Sequence, residues 1–575
     1  MKSGGTLPAS LIRGVEVFAA LACAACCSRS DVKASGSGSA PEPVVTRPTF
    51  TLFALAEVRG QIGPCGCTSD PLGDIARTAK LVLDARAAGP AMVVDAGSLL
   101  YAQSPIPPNL AVQDHLKANL LVATYDGELA ASAIGLGPAD LADGPGGTMR
   151  PRHAVNLATA GIARTPPAIV SSAELTGGAN VGVFGVIATG AVPGLSIEDP
   201  IVAGKAAVAD LKQRGAQLIV GLVQAPTKQA ATKLVRDIGG IDLAIAGLGA
   251  SAPEPDQVDL EPQRIGDGWL VVPANRGQIV SRIDVTLRGA GPLADAVGPA
   301  AAAAKIAALE RRLAALQADL AAYAKDPTAD PAFVERKRNE FAELAALRDQ
   351  LKAHPLVVPA SGSYLTLEQV RIRKALACAP TVDARVSEFY RAAAEANAKA
   401  AASVKVPAPA AGKPGYSGGA ACDDCHADAA AFWSKTRHAG AWKTLVDRGQ
   451  QFDLECVGCH VTGWQQPGGS NLGFNERLRD VQCEVCHGPS SIHVAKGGED
   501  KPFAVIKTPA AELCARCHTK EHSDTFQLEA YLRDVIGPGH GEAARKKLGD
   551  GPTGAQLRKK ALDAAGRTTG AGCSR

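Results

Sequence analysis

Short apolar runs recur along the first half of the chain, at 51–56, 91–94, 168–171, 181–187, 218–223, 241–246, 270–272 and 283–287. Runs this short, bounded by polar and glycine residues, read as strands covered on both faces. Between several of them, as at 75–87 and 205–214, apolar residues return every three or four positions, the mark of a helix with one buried face. This alternation predicts a layered α/β domain over 49–290. Beyond it the period changes. Ile306, Leu309, Leu313, Leu316, Leu320 and Tyr323 form a heptad seam, Asp326-Pro327 to Asp330-Pro331 breaks it, and Val334, Phe341, Leu344 and Leu351 start a second stripe. An antiparallel helical hairpin over 299–355 is expected, acting as a spacer or as an arm for self-association. A strand-like stretch at 364–367 and a helix through 386–397 make 356–399 a short connecting segment. Alanine, proline and lysine at 400–414 read as a linker. Residues 541–575 read as a basic, flexible tail in which Cys573 is incidental.

The N-terminus carries Lys2 and Arg13 ahead of an apolar segment at 15–25, which is interrupted by Glu16. That segment is too short to span a bilayer and suits the core of an export leader, placed at 1–27. Ala20-Leu21-Ala22-Cys23 and Cys23-Ala24-Ala25-Cys26 both resemble lipoprotein processing sites, the alternative being ordinary cleavage near Ala22 or Ala25. Residues 28–48, rich in Ser, Gly, Pro and Ala, read as a flexible tether. A lipid-anchored protein of the periplasm or cell envelope is expected. With 60 Lys and Arg against 57 Asp and Glu, net charge +3, the chain lacks the basic footprint of a nucleic-acid binder.

The cysteines narrow the chemistry. One pentapeptide occurs at Cys422–Cys425–His426, Cys456–Cys459–His460, Cys483–Cys486–His487 and Cys514–Cys517–His518, each a C-x-x-C-H. In this motif two thiols form thioethers with a porphyrin and the adjacent His ligates its iron. Composition alone would supply roughly 0.01 copies. Pairs of C-x₂-C also bind zinc, but a zinc site does not require a His after every second Cys. Four covalently attached haem c groups are therefore expected. A region of this size cannot bury four macrocycles separately, so they should pack on one another and replace much of the regular secondary structure. Of the 11 His, four follow these motifs, and His438, His493, His522 and His540 lie in the same region. His115, His153 and His354 lie elsewhere and read as structural or surface residues.

The order of segments is more specific than the pentapeptide. Tyr416, Trp433, Thr436-Arg437-His438-Ala439, Glu455 to Gly463 and Val481 to Pro489 follow one another. Over 415–540 this resembles the tetrahaem cytochrome c family of ammonia oxidisers, the electron acceptors of hydroxylamine oxidoreductase. The resemblance implies electron transfer between closely packed haems. It also implies distal ligands: His438 for the fourth haem, His493 for the first and His540 for the third, with the second, on His460, left five-coordinate. His522 has no match and either fills that position or lies on the surface.

The segments of 49–290 also resemble a family. Pro71-Leu72-Gly73-Asp74-Ile75-Ala76-Arg77, Val94-Asp95-Ala96-Gly97-Ser98, 181–186 and 277–284 are similar to segments of the periplasmic 5′-nucleotidases of the calcineurin-like metallophosphoesterases. That family's metal ligands are substituted here: Glu57-Val58-Arg59-Gly60 for D-x-H-G, Ser98 for a metal Asp, Ala139-Asp140 for N-H, Gly247-Leu248-Gly249-Ala250 for G-H-x-H, and Gln224 for a further His. Leu and Ala hold no metal and Arg59 opposes one, so the resemblance implies a retained fold with a degenerate hydrolytic site. Just after the first lost motif stands Pro64-Cys65-Gly66-Cys67, whose glycine lets both sulfurs face one point. Related domains fused to haem modules carry this C-G-C, so Cys65 and Cys67 are candidate redox thiols, against a purely structural role. The expectation is an exported electron-transfer protein served by redox partner proteins. The rivals are an oxidoreductase acting on a small molecule at an open haem or at Cys65 and Cys67, and a working 5′-nucleotidase.

Overall fold

The computed structural model describes residues 49–574 apart from 65, 290, 296–298, 326–329, 354–358, 360, 404, 473–474, 500–504 and 567. The leader, the 28–48 tether, Cys65, His354 and part of the helix break lie outside the described residues. The strands are β1 (Phe50–Leu55), β2 (Ala91–Asp95), β3 (Ala133–Ile134), β4 (Arg152–His153), β5 (Arg164–Thr165), β6 (Ala168–Val170), β7 (Val181–Ile187), β8 (Leu218–Gln224), β9 (Leu243–Gly247), β10 (Gln263–Ile265), β11 (Gly268–Val271), β12 (Ile279–Thr286), β13 (Ala294–Asp295) and β14 (Tyr364–Arg371). They form one sheet in the order β13-β14-β12-β1-β2-β3, a second in the order β10-β11-β9-β8-β7-β6, and a small β4-β5 ribbon. The helices of this part are α1 (Ile75–Ala88), α2 (Ala111–Asp126), α3 (Ala173–Thr176), α4 (Pro200–Gln213), α5 (Lys228–Ile238), α6 (Pro299–Tyr323), α7 (Pro331–Ala353) and α8 (Pro380–Ser403).

Side chains alternate across a strand, and β1, β2, β7, β8 and β9 are buried along their whole length, so these central strands feed two cores. In β1, Phe50, Leu52 and Ala54 join Val181, Val183, Leu218, Val220 and Ile245 in a core between the two sheets. Phe53 and Leu55 point the other way, into a core with Ile75, Ala79, Leu121, Val382 and Phe389 of α1, α2 and α8. The outer face of the second sheet packs Phe184, Val186, Ile219 and Val223 on Leu211, Leu234 and Val235 of α4 and α5. The result is a helix–sheet–sheet–helix stack. Each fully buried Phe or Leu adds about 1.5–3 kcal/mol. Helix starts follow local chemistry: Asp74, Asp199 and Thr227 each cap backbone N–H groups with a side-chain oxygen.

Helices α6 and α7 run antiparallel, joined by a Lys352–Glu310 ion pair of 2.7 Å and a Tyr323–Phe333 edge contact. Leu309, Leu313 and Leu316 of the seam are buried inside the chain. Lys305 reaches Glu261 at 3.4 Å, which ties α6 to the α/β domain.

Two readings change. The 356–399 segment is not a connector. Its strand, β14, pairs antiparallel with β12 from Ile279↔Arg371 to Thr286↔Tyr364 and belongs to the first sheet. Its helix, α8, starts at Pro380 and runs on to Ser403, into the expected linker, because the alanine-rich stretch carries no breaker before Pro407. Nor is 541–575 a bare flexible tail. It holds α14 (Glu542–Lys547) and α15 (Gly554–Ala565), the latter opened by a Thr553–Gln556 capping box. Cys573 is not incidental: it forms a disulfide with Cys378 across a sequence separation of 195. Closing so long a loop stabilises a fold by about 2–5 kcal/mol.

The haem-motif region is built from short pieces: α9 (Ala427–Trp433), α10 (Ala441–Val446), α11 (Cys483–His487), α12 (Ser491–Ala495) and α13 (Leu528–Val535), with 3₁₀ turns between them. Its protein core is small, around Trp442, Val457, Val461 and Leu472. Buried Glu484, in the first turn of α11, holds it together. It accepts from the N–H groups of Ser417 at 2.9 Å, Gly418 at 2.7 Å and Ser490 at 2.8 Å, and from the Ser490 hydroxyl at 2.6 Å. Among the described residues no helix is long and apolar enough to cross a membrane.

Candidate functional site

The structure gathers the four motifs. The Cys422 thiol lies close enough to Cys483, and the Cys459 thiol to Cys517, for each pair to titrate together, so the first motif meets the third and the second meets the fourth. The neighbouring thiol brings Cys483 and Cys459 each down to about 7, against burial. Burial is the main force pushing Cys486 up to about 11, with smaller contributions from Cys514 and Cys483.

Histidines from distant segments face each other in pairs. The rings of His426 and His493 lie 6.5 Å apart at 22°, and those of His438 and His518 lie 6.2 Å apart at 44°. Two imidazoles bound to one metal from opposite sides, with metal–nitrogen bonds of about 2.0 Å, put ring centres about 6.3 Å apart. The ring nitrogens fit the same use. Nδ1 of His460 meets the Ala441 carbonyl at 2.5 Å, Nδ1 of His487 meets the Ile506 carbonyl at 2.7 Å, and Nδ1 of His518 meets the Ser523 hydroxyl at 3.1 Å. An imidazole donating through Nδ1 keeps the Nε2 lone pair for a metal. Burial lowers His518 to about 4, with His438 adding to the shift, and also lowers His438 and His460. All three are therefore neutral, the ligating form, at neutral pH. These residues fit haem c.

His540 follows a turn in which Gly539 lies so close to α9 that an added Cβ would stand 2.5 Å from the Ala429 nitrogen. Among the described residues its buried Nδ1 has no hydrogen-bond partner. His522 is exposed and near enough to His460 to contribute, as the smallest influence, to the lowering of that ring. His115 pairs with Asp143 at 2.9 Å on the surface. His153 is buried and pushed down to about 4, mainly by that burial.

The second gathering is at the carboxyl ends of β1, β2, β8 and β9, where open α/β sheets bind ligands. The substituted positions read from sequence meet here. Glu57 Oε1 accepts from Gln224 Nε2 at 2.9 Å and from the Gly249 N–H at 2.8 Å, and Glu57 Oε2 accepts from Arg59 Nε at 3.0 Å. Asp140 accepts from the N–H groups of Ser98 at 2.8 Å, Leu99 at 2.9 Å and Gly137 at 3.0 Å, and pairs with buried Arg152 at 3.3 Å. Asp95 accepts from Tyr125 at 2.7 Å and from Gly97 N–H at 2.8 Å, and is pushed up to about 7, chiefly by burial. Glu57, Arg59, Ser98 and Arg276 all adopt positive φ here, between 51° and 60°. Left-handed backbone at four non-glycine residues costs about 1–3 kcal/mol each and concentrates at functional sites. The carboxylates are already taken by amide and guanidinium donors, so this set does not fit a pair of divalent metals.

Sequence reasoning missed the contact between these two gatherings, all of which lie in one compact unit. Gly66, at φ 77°, presses on the haem-motif region so closely that an added Cβ would lie 1.5 Å from the Glu521 carbonyl oxygen. Arg558 Nη2 donates to the Cys67 carbonyl at 2.7 Å and the Ser69 N–H to Asp524 at 3.1 Å. Cys67 is exposed; burial raises the Cys456 thiol, with Asp453, Glu455 and Cys67 adding to it. On the other flank Gln113 Nε2 donates to Asp453 at 2.7 Å. Polar residues at these sites gave no periodic signal in the sequence.

Comparison with known proteins agrees with the first gathering. Residues 421–488 match the model of the family described as cytochrome c554 and c-prime. Over 134 residues the chain is 30% identical to cytochrome c-554 of Nitrosomonas europaea, a match covering 18% of this chain and 57% of that protein. The haem-motif region is similar to cytochrome c554. Covalently bound haem c is what the c554-like segment implies. The chain spans little more than half the length of this curated relative. Among solved structures, a 5′-nucleotidase precursor of Thermus thermophilus is 20% identical with a TM-score of 0.34, covering 43% of this chain and 53% of that one. The calcineurin-like phosphoesterase YfkN of Bacillus subtilis is 19% identical with a TM-score of 0.32, covering 42% and 86%.

Proposed function

We propose that this chain is an exported tetrahaem electron-transfer protein with a phosphoesterase-like α/β domain that has lost its metals. The paired histidines at 6.5 and 6.2 Å carry the reading. When bound, haem c supplies one-electron exchange between ferric and ferrous iron. His426 and His493 would clasp one iron, and His438 and His518 another. His487 and His540 are assigned to the third, and His460 holds the second with its far face open or closed by His522. Cys422 beside Cys483, and Cys459 beside Cys517, would set the first group against the third and the second against the fourth, a spacing suited to electron hopping. His/His ligation keeps potentials below those of Met/His cytochromes. A leader lipidated near Cys23 or Cys26 would hold the protein in the periplasm or at the envelope. Redox partner proteins would dock on the exposed motif edges, and the hairpin of α6 and α7 would serve as a spacer or as an arm for self-association.

A second reading is favoured by the docking of the 66–69 loop on the haem-motif region: an oxidoreductase in which the Cys65 and Cys67 dithiol, closing to a disulfide with loss of two protons, passes two electrons to the haems. One experiment serves both. In a reductive titration of the holoprotein followed optically, reversible low-potential one-electron steps are expected. Failure to reduce reversibly would defeat electron transfer. Oxidation of the reduced protein by a small disulfide at one rate in wild type and Cys67→Ser would remove the second reading.

A further inference from the structure

A buried ionic cluster lies where α2 meets the second haem motif. Asp114 and Lys117 come from α2, and Asp453 and Glu455 closely precede Cys456. Asp114 is 2% exposed, and neither of its carboxylate oxygens accepts a hydrogen bond among the described residues. Its nearest cation, Lys117 Nζ, stands at 3.9 Å and is hydrogen-bonded to Glu455 instead. Asp453, 7% exposed, accepts from Gln113 Nε2 at 2.7 Å and from the Glu455 N–H at 3.0 Å. Asn397 of α8 closes the cluster, donating to Gln113 Oε1 at 2.9 Å and to the Phe452 carbonyl at 3.0 Å. His115, one residue on from Asp114, faces outward onto Asp143, and the Tyr101 phenol feels the Asp114 charge from the remaining side.

Two buried carboxyl groups, Asp114 and Asp453, thus share one buried ammonium with Glu455 at the solvent edge, and such a cluster is under-neutralised. Burial opposes the charge on Lys117, but Glu455, Asp453 and Asp114 together outweigh it, so the ammonium is raised and stays charged. Burial pushes Asp114 up to about 6, Lys117 opposing and Glu455 and Asp453 adding to it, and burial also raises Asp453. Of the three carboxyls, Asp114 is the one without a donor, so it is the one with least to lose on protonation.

We propose that Asp114 of the α/β domain is the proton-coupling residue of the haem held by Cys456, Cys459 and His460, taking up one proton from water when that haem gains one electron. This rests on the tetrahaem reading. The step balances: ferric iron, an electron from a partner cytochrome, the Asp114 carboxylate and a proton give ferrous iron and the neutral carboxylic acid. An added electron about 10 Å from a carboxyl group raises its pKa by about one unit in protein. The sign follows. Below the oxidised-state pKa, Asp114 is protonated in both states and the potential is flat. Above it, reduction draws a proton and the potential falls as pH rises. Above the reduced-state pKa it is flat again. Asp114 touches no reacting atom and acts through the field at the haem.

The test is a redox titration of the purified holoprotein between pH 5 and pH 9, on wild type, Asp114→Asn and His115→Gln. In wild type one haem should lose potential as pH rises above about 6. Asp114→Asn should abolish that slope and raise the potential at pH 8, because an uncharged amide replaces a carboxylate. His115→Gln should keep the wild-type slope. A pH-independent wild type, an unchanged slope in Asp114→Asn, or a slope lost in His115→Gln would each overturn the proposal. Should Asp114→Asn fail to fold, reduced-minus-oxidised infrared spectra of the wild type decide. A protonated-carboxyl band that grows on reduction supports the proposal, and its absence overturns it.

Discussion

Replacing His493 by Ala is expected to convert one low-spin haem to high spin while leaving it attached. The ring stands 6.5 Å from that of His426, nearly parallel, at the separation of two imidazoles sharing a metal. Removing it takes away a strong axial field but neither thioether, so spin state changes and covalent haem content does not. His438→Ala should do the same to the haem on His518, across 6.2 Å. Electron paramagnetic resonance of the oxidised proteins reads both. One low-spin signal should disappear from each variant and a high-spin signal should replace it, with peptide-bound haem unchanged. Spectra identical to wild type in both variants would show that other groups ligate these irons.

Asp140→Ala is expected to destabilise the α/β domain by about 3–5 kcal/mol. Here the carboxylate does structural work. It accepts from the N–H groups of Ser98, Leu99 and Gly137 and is the carboxylate partner of Arg152, which is fully buried. Truncation leaves buried donors and a buried guanidinium uncompensated. Asp140→Asn keeps an acceptor and should cost less, about 1–3 kcal/mol. Denaturant unfolding monitored by far-UV circular dichroism measures both. Equal stability of wild type and Asp140→Ala would contradict the network, and chelator-sensitive hydrolysis of a nucleoside monophosphate by wild type would restore the nucleotidase reading.

What could be read from the chain follows the range of the forces involved. Strands β1, β7, β8 and β9 were legible because each is a local run with both faces buried, and α6 because its seam repeats every three or four residues. The membership of β14 in the first sheet was not, since its partner β12 lies across the whole α6–α7 excursion and pairing over that span leaves no local trace. The same holds for Cys378 and Cys573. Simple accounting could have found them: setting aside the haem-motif cysteines, those of the leader and the C-G-C pair leaves these two. The histidine pairs were assigned through resemblance, and only the folded chain shows His438 and His493 opposite His518 and His426. The docking of Gly66 on Glu521 and the Asp114 cluster were invisible, because each joins polar residues with no period and no neighbours in sequence.

The central claim is that all four C-x-x-C-H motifs hold haem c. Mass analysis of proteolytic peptides from the protein, expressed together with haem-attachment machinery, tests it most directly. Each peptide containing Cys422–Cys425, Cys456–Cys459, Cys483–Cys486 or Cys514–Cys517 should carry one haem-sized increment, four in all, with iron in equal number. Fewer than three such increments, or zinc in place of iron, would contradict it.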